Sequence, residues 1–268
     1  QNKQDYSQQY LITLPLLLKG LLAALIVGFV TSSIRSWVDR VFLVIMLTGI
    51  VGLPIVQAIQ INLIVIALAA LMALIRQRKQ LHGAVPPGSH EWLLITIPAF
   101  LGALTGRILA SQMKPGLLLG LLGGYAILVG LRILIIKPLS ERETKAHPSW
   151  FVPVSLGSGI LTGLISAGGK PFAVPLFNNA MGHHPQKAYA LATVAVVTGA
   201  WTALGTQFVL AMPDWTQLVL AIYEFVLVTL VALLVQKFWT EKLAKIVNLC
   251  IVPILILVGI RFLLVAIK

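Results

Sequence analysis

The stretch GSGILTGLISAGGKPFAVP, residues Gly157–Pro175, decides how the whole chain is read. It opens as an apolar helix rich in small residues. It then stops at Ala167-Gly168-Gly169-Lys170-Pro171, well short of a membrane crossing. Two glycines and a proline release backbone groups from the helical ladder, and hydrocarbon offers those groups no water. Such a break is tolerable only where protein buries it or a polar cavity receives it. Here the cavity would hold Lys170 and the start of the helix that resumes at Pro171, both electropositive. The expectation is an anion site inside a membrane protein.

The rest of the chain agrees with that setting. Hydrophobic residues make up 58% of it and charged residues 10%, against about 25% charged in a soluble domain. Long apolar runs recur from end to end, so a soluble domain on a single anchor is excluded, and no alternating segments suggest a transmembrane barrel. The class is an all-α polytopic membrane protein. A net charge of +12 does not indicate nucleic acid, because the basic residues cluster at the ends of apolar segments, where the positive-inside effect puts them. The single cysteine, Cys250, excludes an intrachain disulfide. The polar start QNKQDYSQQY reads as the beginning of the mature chain rather than a signal peptide.

Outward from the break, the chain divides into two halves around a charged stretch. The first repeat, 1–136, holds a broken or re-entrant hairpin at about 10–53 and helices at about 55–75, 92–110 and 116–136. Its hairpin carries the polar break Thr31-Ser32-Ser33, and its helix at 92–110 carries Gly102-Ala-Leu-Thr-Gly106, a small-residue contact face. Residues 137–150 form a cytoplasmic linker. The second repeat, 151–268, holds a hairpin at about 151–182 and helices at about 186–212, 216–235 and 243–267. Ile127–Leu134 (ILVGLRIL) matches Ile256–Leu263 (ILVGIRFL), Pro15 corresponds to Pro153, and Pro54 to Pro185. The cluster Arg76-Gln77-Arg78-Lys79 is cytoplasmic by its charge. An odd number of crossings per half then inverts the second half relative to the first. Two inverted repeats with matching broken helices point to a secondary transporter with its site at mid-membrane. Whether the first two pieces of each half span or re-enter is left open.

The residues Gly159–Gly182, GILTGLISAGGKPFAVPLFNNAMG, with Lys187–Gly205, KAYALATVAVVTGAWTALG, resemble the TauE/SafE sulfite-exporter family. In the first half GLLAALIVGFV (Gly20–Val30) and LPIVQAIQINL (Leu53–Leu63) follow the same plan, so the resemblance covers nearly the whole chain. It implies export or uptake of sulfite, sulfonates or related organosulfur anions across a bacterial inner membrane. The chain departs from the family pattern at two places. Val30-Thr31-Ser32-Ser33 stands where a Gly-rich break is expected, and Lys170 where glycine is expected.

Candidate substrate contacts are Lys170, Gly168 and Gly169, with the backbone N–H groups of Phe172 and Ala173 as further donors. The bland reading of Lys170 is an ammonium snorkelling to the interface. Thr31, Ser32 and Ser33 offer hydroxyls to an oxyanion, or simply cap the next helix. Arg35 is left open beside Asp39, which reads as its i,i+4 ion-pair partner. Asn62 and Thr193 contact substrate or make interhelical hydrogen bonds. Glu224, the one acidic residue well inside an apolar segment, either carries a proton coupled to transport or pairs with a buried arginine such as Arg107. His183 and His184 lack the companions of a metal site, so neither a metal nor a cofactor is expected. Ser166 with either histidine lacks the Gly-x-Ser-x-Gly turn of a nucleophile, so no enzyme is expected. The expected partners are a small anion, the bilayer and coupled protons, with a homo-oligomer left open. An uncoupled anion channel is the nearest alternative, followed by a non-transporting assembly factor.

Overall fold

The computed structural model describes residues 13–34, 41–135 and 150–267. Among these there is no strand; ten α-helices follow one another. They are α1 (Leu14–Ile34), α2 (Val41–Met46), α3 (Ile55–Ala84), α4 (His90–Gln112) and α5 (Pro115–Ile135), then α6 (Phe151–Ile165), α7 (Lys170–Pro175), α8 (Pro185–Leu210), α9 (Trp215–Gln236) and α10 (Glu241–Ile267). Seven of them contain spans long and apolar enough to cross a membrane: α1, α3, α4, α5, α8, α9 and α10. The helices form where sequence signals start and stop them. Ser89 caps α4 by accepting from the Trp92 N–H at 3.2 Å. Asp214 and Gln217 close a capping box on α9. Pro185 opens α8, where a missing N–H costs nothing.

Two boundaries differ from the sequence reading. α1 runs unbroken through Thr31-Ser32-Ser33 to Ile34. The polar residues do not break it because Ser32 Oγ lies 2.9 Å from Gly28 O and 3.0 Å from Ala232 O, spending its proton on carbonyls of α1 and α9. And α3 continues past Ile75 as far as Ala84, so Arg76, Arg78 and Lys79 sit on a helix extension rather than a loop.

Close backbone contacts set the relative directions of the helices. Gly102 and Gly106 of α4 lie against Leu156 and Ile160 of α6, and Gly159 and Gly163 of α6 lie against Ala99 and Ala103 of α4. Numbers rise together, so α4 and α6 are parallel. Added carbons here would meet backbone rather than side-chain ends, at 2.6 Å for Gly106 against Ile160 O. Gly20 and Gly28 place α1 parallel to α9 in the same way, against Glu224 and Val231. α5 and α10 run antiparallel. Gly123 meets Gly259 near their centre, Gly116 meets Ala266, and Gly130 meets Val252.

These directions make the second hairpin re-entrant. The starts of α4 and α8 share one face of the bundle, where Lys187 Nζ lies 3.0 Å from Glu91 Oε1. α6 starts at that face too, because its first residue, Phe151, stacks at 5.8 Å on His183, just before α8, and at 6.0 Å on Phe177. The chain therefore rises along α6, turns, and returns along α7. In the first half, Leu16 of α1 and Leu53, just before α3, line one narrow cleft with Asp214 and Gln217 of α9. The feet of the first hairpin meet there. Each returning arm ends in a five-residue π-helical turn, Leu47–Val51 and Leu176–Ala180. A left-handed glycine follows each turn (Gly52, φ 84°; Gly182, φ 76°), and then a proline leads into the next long helix. Such widened turns end a helix where its backbone must be redirected.

The α4–α6 contact gives a direct test. Gly159→Val is expected to lower stability by about 1–3 kcal/mol, as overpacking does. Gly157→Ala, two residues away with nothing within 4 Å of an added carbon, is expected to be neutral or stabilising by up to about 1 kcal/mol. Thermal unfolding in detergent that shows equal losses for both would mean that α4 and α6 do not touch along this face.

Candidate anion site at the broken helix

The site is built where α6 ends. Ser166 adopts a left-handed conformation, φ 50° and ψ 37°, and its N–H donates to Thr162 O at 3.0 Å. Gly168 and Gly169 also have positive φ, 73° and 70°. For a serine this geometry costs roughly 1–2 kcal/mol, so something must hold it. That support comes from another helix. Asn62, fully buried on α3, donates through Nδ2 to Ser166 O at 2.9 Å and lies 3.0 Å from Ser166 Oγ. From α6 itself, Ser158 Oγ donates to Gly168 O at 3.1 Å. Gly169 packs so closely on Ser158 that an added carbon would sit 2.7 Å from its Oγ. Only glycine satisfies both the dihedral and the space.

α7 restarts at Lys170 with Gly169 as its N-cap. Gly169 O accepts from Phe172 N at 3.1 Å and Ala173 N at 2.9 Å. This corrects the expectation that those two N–H groups face a ligand. The helix resumes one residue earlier than Pro171, and both donors are consumed in its first turn. The N–H groups of Gly168 and Gly169 make no backbone hydrogen bond among the described residues. Fifteen residues of α6 rise about 22 Å from its foot, against a hydrocarbon core of about 30 Å. A helix of that length stops short of a full crossing.

Two cations flank it. Lys170 is 6% exposed. Arg107 of α4 is 2% exposed, and its Nη1 donates to Gly163 O at 3.5 Å, one turn before Ser166. Its Nε has no hydrogen-bond partner, and neither does the acceptor Asn62 Oδ1. The Tyr125 ring of α5 meets Phe172 edge-on at 5.5 Å and covers the arm. A buried arginine, a buried lysine and a loop with open amides can desolvate and hold a small oxyanion. Among the described residues no three His, Cys, Asp or Glu side chains group as metal ligands do.

The structure brings Asn62, Gly168, Gly169 and Lys170 together and leaves other candidates elsewhere. Thr31 and Ser32 are buried on α1, with Ser32 at the contact with α9. The Ser33 side chain and Arg35 lie outside the described residues. Thr193 is buried, and its hydroxyl donates to Tyr189 O at 2.7 Å within its own helix. Glu224 is fully buried at the α1–α9 contact beside Gly20. Arg107 lies at the α4–α6 contact. His183 stacks on Phe151 at the foot of the hairpin, and Asn178 Nδ2 donates to His183 O at 2.7 Å. Arg107 is the residue that sequence reasoning passed over as a site residue. The available signal was an arginine directly after Gly102-xxx-Gly106 inside an apolar span, where an ionisable group is a functional candidate by default.

Asn62→Ala is expected to destabilise the protein by about 1–3 kcal/mol, because it strands the buried Ser166 groups. Adding Ser166→Gly in that background should recover about 1 kcal/mol by removing the left-handed penalty. Melting of Asn62→Ala at the wild-type temperature would remove Asn62 as the support of the break.

Comparison with known proteins gives one match. The family model described as sulfite exporter TauE/SafE matches residues 20–262 of the 268-residue chain. No curated protein and no solved structure matches. The match runs from α1 into α10 and takes in both hairpins and the broken helix, so the chain belongs to the sulfite exporter TauE/SafE family, a family of membrane transporters.

Proposed function

We propose that this chain is a secondary transporter carrying a small oxyanion, sulfite, a sulfonate or a related organosulfur anion, across a bacterial inner membrane. The observation that carries the proposal is the buried break at Ser166–Gly169, flanked by Lys170 and Arg107 about 22 Å above the foot of α6. Ionisable groups buried inside a membrane protein are functional candidates by default. A small anion at the break would take donors from the Arg107 guanidinium and from the amides of Gly168 and Gly169. The pairing of one charge-rich site with open backbone is what binding followed by release requires.

Alternating access is the mechanism we infer, with the two halves as inverted repeats. The antiparallel α5–α10 contact supports it. Aligning Gly130 with Gly259 turns the Gly123–Gly259 contact into Val252–Gly130, which is also present, as an isologous interface demands. So does the exchange of partners, α1 of one half lying on α9 of the other and α6 on α4. In this reading Glu224 carries the coupled proton. It sits in the first-hairpin contact, at the place that Ala99–Ala103 take in the second.

Reconstituted vesicles loaded with sulfite test the proposal. Lys170→Gln and Arg107→Gln should each lower flux at least tenfold, and Lys170→Arg should retain part of it. Wild-type vesicles that pass no sulfite or sulfonate, or full flux in Lys170→Gln, would end the reading. Glu224→Gln should abolish stimulation by an imposed pH gradient while leaving anion counterflow. A response to the gradient equal to wild type would exclude coupling through Glu224.

A further inference from the structure

We propose that the end of α3 forms a binding site for one anionic phospholipid of the cytoplasmic leaflet, apart from the transport site. A cavity of about 290 Å³ opens there between α3, α4 and α8, near the lower end of the size range of ligand pockets, roughly 300–1,000 Å³. Its wall on α3 is a single stripe, Leu74, Ile75, Arg78, Leu81 and His82, with Val85 just past the end of the helix. The spacing of three, four, seven and eight residues keeps them on one helix face. Trp92 of α4 and Val194 of α8 close the opposite side.

The position of this cavity selects its occupant. The apolar span of α3 ends at Arg76, and the helix continues two turns beyond it. The cavity therefore straddles the boundary between hydrocarbon and headgroups. Below that boundary its lining is apolar, with Leu74 and Ile75 open outward at 36% and 69% exposure. Val194 stands about 13 Å along α8 from Pro185. At and above it stand Arg78 and His82, whose Nδ1–H donates to the Arg78 backbone carbonyl at 2.8 Å, one turn back on the same helix. No carboxylate lines the cavity. An apolar trough with a cationic rim complements a phosphodiester headgroup and its acyl chain. A free anion would leave the trough unfilled, and a zwitterionic lipid would bring a cation to the rim. Arg76 and Lys79 flank the stripe but do not line the cavity, so a merely positive surface is distinguishable from a built site.

Native mass spectrometry of the detergent-purified protein, with phosphatidylglycerol and phosphatidylcholine of identical acyl chains, tests this. Wild type should retain phosphatidylglycerol at least fivefold over phosphatidylcholine. Arg78→Gln should bring the two lipids to parity, whereas Lys79→Gln, the same charge lost one residue away, should keep the preference. Val194→Trp should reduce retention with the charges intact. Equal retention of both lipids by wild type overturns the proposal. So does a Lys79→Gln variant as impaired as Arg78→Gln, which would indicate a diffuse positive surface. Inorganic phosphate displacing phosphatidylglycerol at equal concentration would also overturn it, as a free-anion site.

Discussion

In hydrocarbon an unsatisfied backbone group costs several kcal/mol, and this protein interrupts a buried helix within a bundle of membrane-crossing length. Everything near the break answers that one cost. Asn62 reaches from α3 to the carbonyl and hydroxyl of Ser166. Ser158 takes Gly168 O, and Gly169 O is shared by the first turn of α7. Left over are three donors, the amides of Gly168 and Gly169 and the Nε of Arg107, against one acceptor, Asn62 Oδ1. Donors outnumber acceptors there, and an excess of donors beside buried cations is the kind of arrangement that can hold an oxyanion.

The glycines explain how such a gap is kept rigid. In a membrane no hydrophobic driving force holds helix to helix, so close van der Waals contact must do it. α4 and α6 achieve this with glycines on both partners, Gly102 and Gly106 against Gly159 and Gly163. That contact places Arg107, the next residue on α4, beside the last turn of α6. Packing and electrostatics are therefore one feature: the close approach of two backbones brings the cation to the break. The α1–α9 contact has glycines on α1 alone, and there Gly20 meets a carboxylate, Glu224. The two contacts are alike in running parallel and opposite in the charge their partner helix supplies.

The hairpins also differ in reach. α1 has 21 residues and α6 has 15, about 31 Å against 22 Å. The shorter one stops short of a crossing and is followed by the open amides of Gly168 and Gly169. Ser32 shows why the longer one does not: its hydroxyl bonds Gly28 O and Ala232 O and seals the helix where a glycine would have loosened it. Polar residues in a sequence mark either a break or its repair, and only their partners tell the two apart.

The sequence by itself determined the class, the approximate course of the long apolar helices and the break at Gly168-Gly169; it also marked a break at Thr31–Ser33 that α1 does not have. Apolar length, Gly-Gly and Pro are local properties, and hydrocarbon punishes their misplacement. It also marked Gly102 and Gly106 as a contact face and Lys170 as the buried cation. It did not say that Gly159 and Gly163 are the partners of that face, that Asn62 supports Ser166, or that Phe172 and Ala173 spend their donors inside α7. Nor did it say whether the hairpin re-enters, which rests on Phe151 meeting His183. Each of these is a pairing between residues distant in the chain. The hydrophobic effect that writes the apolar pattern is non-directional, so only close packing and hydrogen-bond geometry could choose the pairs.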